Sequence, residues 1–549
     1  MPQIPYRANL SAANYPMTIA DGGRTVIVPG IDQNFDRRVD PSGEQKDAGI
    51  PQALYLENVM PTPYGYQSVG YMVPTAGMII PAGATYIKKM IEVKYRRPID
   101  LYRATIDSAP LFIWDNGALT FGMFGEASVV FTGAGFTDAV DSLYSVAIVG
   151  SSVYFYHASG LTQDLYTIFR PGTDLQLLNI TALVTPLNFF TSESIVSVCA
   201  SNNYLVACSS TTVYWSSLLS SIDFTSSLVS GAGQINPNNS DAALLYVKET
   251  TKGFYVYAAT NTMYGQYTGN ARYPFKFVPV INSTGPLNFQ PWLSYGVVDG
   301  LGHYVIEKNK SIRFMQENQS QAVAIEASDY LEKTTLHETL DYITNTFTAS
   351  AVATQTPSIY VYLNRYVLIS VNGTNTQESA AEKYTHVIVF DSFLNRYGKL
   401  KLDHSFMFTY YGQPELLGFV NRQASSIKFL GFDIYLTDAF PGTTYTAHEG
   451  ALLLGKFQYV RSRMMQMEEI EIEGPQNTAI TPSPNFSLAL LPSTDGRNFD
   501  TPIPLTATSI SGGLATYHTH QTARNHSLLL KGAFSVNTVQ LKFVPGGER

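Results

Sequence analysis

Tyr384–Met407 reads YTHVIVFDSFLNRYGKLKLDHSFM. Val387, Val389 and Asp391 alternate with Ile388 and Phe390, the period-two pattern of a strand. Ser392, Asn395 and Gly398 supply turn chemistry, and the chain returns through Lys399–Asp403, so the stretch predicts an antiparallel hairpin. Similar hairpins are expected at Leu111–Phe124, Ser152–Phe169, Tyr204–Ser216, Gly253–Tyr267, Gly302–Met315 and Ile427–Phe440. They recur roughly every 40–50 residues, the repeat length of a four-stranded propeller blade. The expected fold is therefore all-β: a β-propeller of six to seven blades.

Composition agrees. Hydrophobic residues make up 45% of the 549 residues and charged ones only 14%, enough apolar material for a large core and little for disorder. Tyr and Phe dominate the aromatics, as strands favour. Helical periodicity is confined to Ala322–Thr344, where Ile325, Leu331, Leu336, Leu340 and Ile343 predict one or two short helices.

The ends read differently from the middle. Residues 1–82 carry Pro2, Pro5, Pro16, Pro29, Pro41, Pro51, Pro61, Pro63, Pro74 and Pro81, which disfavour regular structure. We expect an extended arm with isolated strands such as Thr25–Val28, packed on its own propeller or on a neighbouring subunit. Residues 83–460 hold the blades. Within them, the proline series Pro274, Pro279, Pro286 and Pro291 predicts a long loop over 269–302, and 320–357 reads as a second irregular insertion. Residues 461–549 predict a small antiparallel β domain, with strands at Glu468–Glu473, Phe486–Leu491, Ala515–Thr519, Ser527–Lys531 and Thr538–Val544. Some of these strands joining the N-terminal segment to close the ring is the alternative arrangement.

The net charge of −8 and the absence of a long basic run exclude tight nucleic-acid binding, which draws its affinity from phosphate neutralisation. A surface that DNA slides past is compatible with that charge. Cys199 and Cys208 are too few for a disulfide framework and lack zinc spacing, so buried reduced thiols are expected. The opening MPQIPYRANLSAANYP has neither the basic nor the apolar region of a signal peptide, and no apolar run is long enough to span a bilayer. Synthesis in a host cytoplasm as a soluble chain is the expectation.

Candidate chemistry is sparse. Glu469, Glu471 and Glu473 share one face of a strand, which reads as a solvated face discouraging edge pairing rather than as a glycosidase pair. His518 and His520 lie on one side of a strand with His526 nearby, but lack the acid or Cys cluster of a metal site. Ser493–Phe499, STDGRNF, is a shortened relative of the Asp-box turn of sialidase-type propellers. There is no GxSxG elbow, phosphate-cradling Gly loop or HExxH motif. No catalytic, cofactor-binding or metal-binding set is assigned, and an enzyme is not expected.

Several segments resemble the nozzle, or tail hub and packaged-DNA stabilisation, proteins of short-tailed bacteriophages. They are LYLENVMPTPYGYQSVG at Leu54–Gly70, Val213–Ser216 followed by Asp223 and Phe224, His386–Asp391 with Tyr397 and Gly398, His303–Leu331, and Leu488–Phe499. The resemblance implies a structural virion protein. Six copies would form a ring below the portal and adaptor, conduct and gate DNA, and carry fibres or spikes. A neutral or acidic wall fits a conduit, because a basic one would retain DNA through counterion release. A propeller glycosidase or tail depolymerase, and a receptor- or sugar-binding propeller, are the alternatives.

Overall fold

In the computed structural model, the described residues are 24–29 and, with gaps, 52–545; the longer gaps are 99–103, 122–128, 131–142, 170–175, 289–294, 374–378, 433–445, 458–463, 474–486 and 495–499. Seven antiparallel blades follow one another: residues 87–130, 143–179, 195–235, 244–279, 295–322, 358–404 and 406–431. The first strand of each blade is innermost, and these first strands pack on one another from blade 1 through blade 4 and from blade 5 through blade 7 back to blade 1. The fold is a seven-bladed, all-β propeller carrying an arm and a second β unit.

Each blade is pressed between two others, so its middle strands bury both faces and lose any apolar–polar alternation. Tyr204–Ser209 and Gly253–Ala258 are buried at every position. These middle strands form the expected hairpins of the first five blades. In blade 6, the hairpin Tyr384–Asp391 and Arg396–His404 is the third and fourth strands. Its two faces enter different cores, Val387 and Val389 towards blade 7, Ile388 and Phe390 towards blade 5. Turn chemistry sets the registers. Asn202 and Asn203, at φ +49° and +68°, make the two-residue turn that pairs Ser201 with Tyr204.

The ring is closed by the arm. Tyr71–Gly77 is the fourth strand of blade 7, pairing Val73 with Phe429 and Met72 with Leu430. Val59–Pro61 and Tyr66–Ser68 extend blade 6 beyond Arg396–His404. Gly398 allows this: a Cβ there would lie 2.5 Å from the Val59 carbonyl oxygen. It is thus a strand glycine at a close approach, not part of the turn.

The second unit is a sandwich of two five-stranded antiparallel sheets. One orders Arg24–Pro29, Thr538–Pro545, Met465–Glu473, Leu514–Ala523 and Ser509–Ser511; the other orders Gln52–Glu57, Gly450–Phe457, Asn525–Gly532, Ser487–Ser493 and Ile503–Leu505. The arm therefore supplies one edge strand to each sheet. Leu452, Ile470, Leu528 and Leu541 of the sandwich share one core with Leu56, Val59 and Tyr66 of the arm and with Ile306, Ile369 and Ile388 of blades 5 and 6. The other face of the second sheet is buried as well, at Tyr55, Leu453, Leu491 and Leu529, with the Lys399 ammonium over the Tyr55 ring.

Four local expectations are corrected. The 269–302 loop contains strands: Phe275–Pro279 completes blade 4 and Tyr295–Val298 begins blade 5. Pro274 precedes the first of these strands, Pro279 ends it and Pro286 lies between the two blades, where they break no ladder, while Pro291 lies outside the described residues. Among the described residues of Ala322–Thr344 only Ile325–Lys333 is helical, whereas Leu336–Asp341 pairs with Thr346–Ala351 as a separate hairpin. In Ile427–Phe440 the strand Ser426–Gly431 pairs with the distant arm, and residues 433–440 lie outside the described residues. Finally, Glu468–Glu473 is no edge, since Met465–Glu473 is paired on both sides.

Candidate functional site

The innermost strands of a propeller leave one row of backbone groups unpaired towards the axis, and these need partners from side chains. Two serines meet that need between successive blades. Ser145 Oγ accepts the Val198 N–H at 2.8 Å, and Ser197 Oγ accepts the Val247 N–H at 2.8 Å. Tyr246 Oη, from blade 4, donates to the Tyr144 carbonyl of blade 2 at 3.3 Å.

Across the ring, Glu92 of blade 1 accepts from Tyr360 Oη of blade 6 at 3.0 Å and from Thr409 Oγ1 of blade 7 at 3.1 Å. The two hydroxyl protons thus serve the two carboxylate oxygens, and the 2.9 Å approach of Tyr360 Oη to Thr409 Oγ1 carries no proton of its own. Burial, and then the Glu92 charge, push the Tyr360 phenol far above its ordinary range, so it stays a donor. The Tyr246 and Tyr360 bonds each skip a blade. Side chains therefore occupy the space inside the inner strands at these levels.

A cleft of about 540 Å³ opens between blades 6 and 7, lined by Glu382, Lys383, Ser405, Asn421, Arg422 and Lys428 among others. Arg422 is its anchor. One guanidinium nitrogen donates to the Ile87 and Lys88 carbonyls, the other to Glu382 Oε2 at 2.8 Å, and the group lies over the Phe406 ring. Lys383 pairs with Asp403 at 2.6 Å. Glu382 neutralises the buried Arg422 charge, and these bonds tie the last blade to the first.

Two buried histidines are structural by their partners. His303 Nε2 lies 2.9 Å from the Glu249 carbonyl, which can only accept, so the proton is on Nε2 and Nδ1 accepts from Tyr257 Oη at 2.6 Å. His404 has the opposite tautomer: Nδ1 donates to the Leu402 carbonyl and Nε2 accepts from Ser370 Oγ, both at 2.8 Å. Burial pushes each imidazole down to about 4, which keeps it neutral.

The residues singled out by sequence do not converge. Glu469 and Glu471 lie on the central acidic strand, facing His518 and Thr516 on one neighbour and Lys542 and Gln540 on the other. His518 approaches Glu469 at 3.5 Å, His520 contacts Gln466, and His526 is buried against the Met465 carbonyl. Among the described residues no three His, Cys, Asp or Glu side chains group as metal ligands. Cys199 and Cys208 are buried and free, facing Val206 and Ser197 across their hairpin. Of STDGRNF, residues 495–499 lie outside the described residues, while Thr494 N–H donates to Asp500 Oδ2. Among the described residues no helix is long and apolar enough to cross a membrane.

The motif residues quoted from the sequence occupy joints of the architecture. Of Leu54–Gly70, the residues up to Glu57 lie on the sandwich edge, and Val59–Pro61 and Tyr66–Ser68 extend blade 6. Trp215 Nε1 donates to the Gly231 carbonyl at 2.8 Å, and the ring lies where a Cβ on Gly233 would be 2.8 Å away. Asp223 caps the Thr225 N–H and accepts from Thr185, and Phe224 stacks on Phe189 at 4.3 Å. Asp391, fully buried, takes two bonds from Arg365 Nε and one from Nη2, and accepts the Phe393 and Leu394 N–H groups of its own turn.

No protein-family model and no curated protein matches the chain. Among solved structures, YCF48 bound to D1 peptide aligns with 66% of this chain and 99% of its own, at 10% identity and a TM-score of 0.37. The WD40 domain of Neurospora crassa Pan2 aligns over 59% and 85%, at 7% identity and a TM-score of 0.32. A structural genomics protein of unknown function from Bacteroides thetaiotaomicron aligns over 66% and 98%, at 11% identity and a TM-score of 0.29.

Proposed function

We propose that this chain is a structural subunit of a phage tail nozzle, repeated in a ring below the portal and adaptor. Its ring would pass and gate genomic DNA and seat fibres or spikes. The observation that carries this reading is the course of the strands between residues 52 and 77, which include most of the resembling segment Leu54–Gly70. Its strands complete a sandwich sheet, extend blade 6 and close blade 7. One segment that locks three parts together suits a component loaded mechanically. In a ring of copies the conduit would run between subunits, since Tyr144, Tyr246, Glu92 and Tyr360 fill the inner wall of each propeller. The net charge of −8 favours passage over retention.

Electron cryomicroscopy of particles from the source, with this chain fitted to the tail density, tests the reading. Propellers arranged round the tail axis beneath the portal are the expected result. Density for the chain on a peripheral appendage, or none in the particle, would overturn it and direct attention to glycan binding and hydrolysis.

A further inference from the structure

The cleft between blades 6 and 7 has features that closing the ring does not require. Residues 380–383 of blade 6 and 421–426 of blade 7 frame it, with Lys428 on the adjoining strand. Both segments join the second and third strands of their blades, so they open on the same face of the propeller. The lining carries Lys383, Arg422 and Lys428 against the single acid Glu382, on a chain whose net charge is −8. It is a local positive site in an acidic molecule, and the apolar walls at Phe419, Val420 and Ala424 concentrate its field.

Two of the cations are already committed. Arg422 is held by the Ile87 and Lys88 carbonyls and by Glu382, and Lys383 by Asp403. Lys428 is exposed between the buried Ile427 and Phe429, and among the described residues no acid pairs with it. Next to it in the lining, two polar atoms are buried without a hydrogen-bond partner in the chain. Asn421 Oδ1 lacks a donor and Arg422 Nε lacks an acceptor, although Arg422 is only 6% exposed. Such atoms are rare in folded chains and call for a partner from elsewhere. Asn421 is half-buried and the torsion that carries its amide is soft, so its oxygen can turn to a group entering the cleft.

These groups select a ligand. Lys428 calls for an anion, but phosphate brings mainly acceptors, which leave the Asn421 oxygen unpaired and place several negative charges near Glu382. A peptide group brings an N–H as well as a C=O, and an Asp or Glu side chain beside it supplies one carboxylate. About 540 Å³ is the size of a site for a small ligand and excludes a nucleic-acid duplex. We propose that the cleft binds a short acidic peptide segment of another protein, with Lys428 pairing its carboxylate and Asn421 its main chain. Arg422 is a positioning residue, fixing the loop that carries Asn421.

The test pans a yeast-displayed library of random heptapeptides on the full native chain, with Lys428→Glu as counter-target. Lys428→Glu and Asn421→Leu change side chains outside the core and should keep the fold, which circular dichroism checks. Enriched sequences should contain Asp or Glu. Synthetic copies of them should bind each variant about tenfold or more weakly than native chain in fluorescence anisotropy. Their affinity for native chain and for Asn421→Leu should fall as salt rises, because the ion pair at Lys428 is intact in both. Lys276→Glu, which makes the same charge change at an exposed position of blade 4, should bind them like native chain. No enrichment over Lys428→Glu, enriched sequences without acids, or variants that bind like native chain would each overturn the proposal. An equal loss in Lys276→Glu would do the same by reducing the effect to bulk charge. Pyrophosphate that binds native chain but not Lys428→Glu, with no peptide enriched, would assign the cleft to phosphate instead.

Discussion

His303 and His404 make the fold sensitive to acid through their burial. An unfolded imidazole takes its proton near pH 6.5, whereas these two resist until about 4. Their contribution is therefore complete above pH 6.5 and is lost as pH falls towards 4, because the unfolded chain binds protons that the folded one refuses. At pH 5 the loss is about 2 kcal/mol for each. Urea unfolding of native protein at pH 7 and pH 5 should show that decline. His404→Gln, which cannot be charged, should shrink it by about 2 kcal/mol, the share of His404 beside those of His303 and the buried His526, and an unchanged decline would mean that other groups dominate. Asp391 tests a different cost. Arg365→Met would leave its fully buried carboxylate with only the Phe393 and Leu394 amides, destabilising the fold by about 3 kcal/mol. Adding Asp391→Asn should recover part of that, whereas additive losses would show that the pair is not coupled.

At the scale of elements, legibility followed burial and sequence distance. The hairpins at Ser152–Phe169 and Gly253–Tyr267 could be read because middle strands of blades are apolar on both faces. The outer strand Gly233–Ile235 could not, since it is short and mostly exposed. The arm strands were hidden for another reason: Val59 pairs with Lys399 and Val73 with Phe429, partners that no local pattern announces. The same distance hid the axial cluster, where Glu92 meets residues 268 and 317 positions away. Prolines made the arm look irregular, yet Pro74 sits inside one of its strands and Pro61 ends another. Two experiments check its role. Gly398→Ala should cost about 2 kcal/mol, because the added Cβ would press on the Val59 backbone. Deleting residues 1–79 should abolish soluble folding, since blade 7 loses its fourth strand and both sandwich sheets lose an edge. A folded, soluble deletion product would mean that the arm serves a neighbour instead.

For the whole molecule, the shared core decides how the parts respond to stress. Propeller and sandwich would unfold separately if each had its own core and met at a thin, polar surface. Here Ile306, Ile369 and Ile388 of the propeller pack in the same cluster as Leu452, Ile470 and Leu541 of the sandwich, with Leu56 and Val59 of the arm between them. Losing either unit would expose that apolar surface to water, at about 25 cal/mol for each Å² uncovered. Calorimetry should therefore record one transition, with van't Hoff and calorimetric enthalpies in agreement. Leu541→Ala, in the sandwich, should lower the unfolding temperature reported by tryptophan fluorescence, to which Trp114 and Trp215 of blades 1 and 3 contribute, as much as that reported by circular dichroism. Two resolved transitions, or a Leu541→Ala effect confined to one probe, would show that the units yield independently. One transition would mean that force applied to the sandwich is borne by the ring of blades, as a subunit that seats fibres while holding a conduit would need.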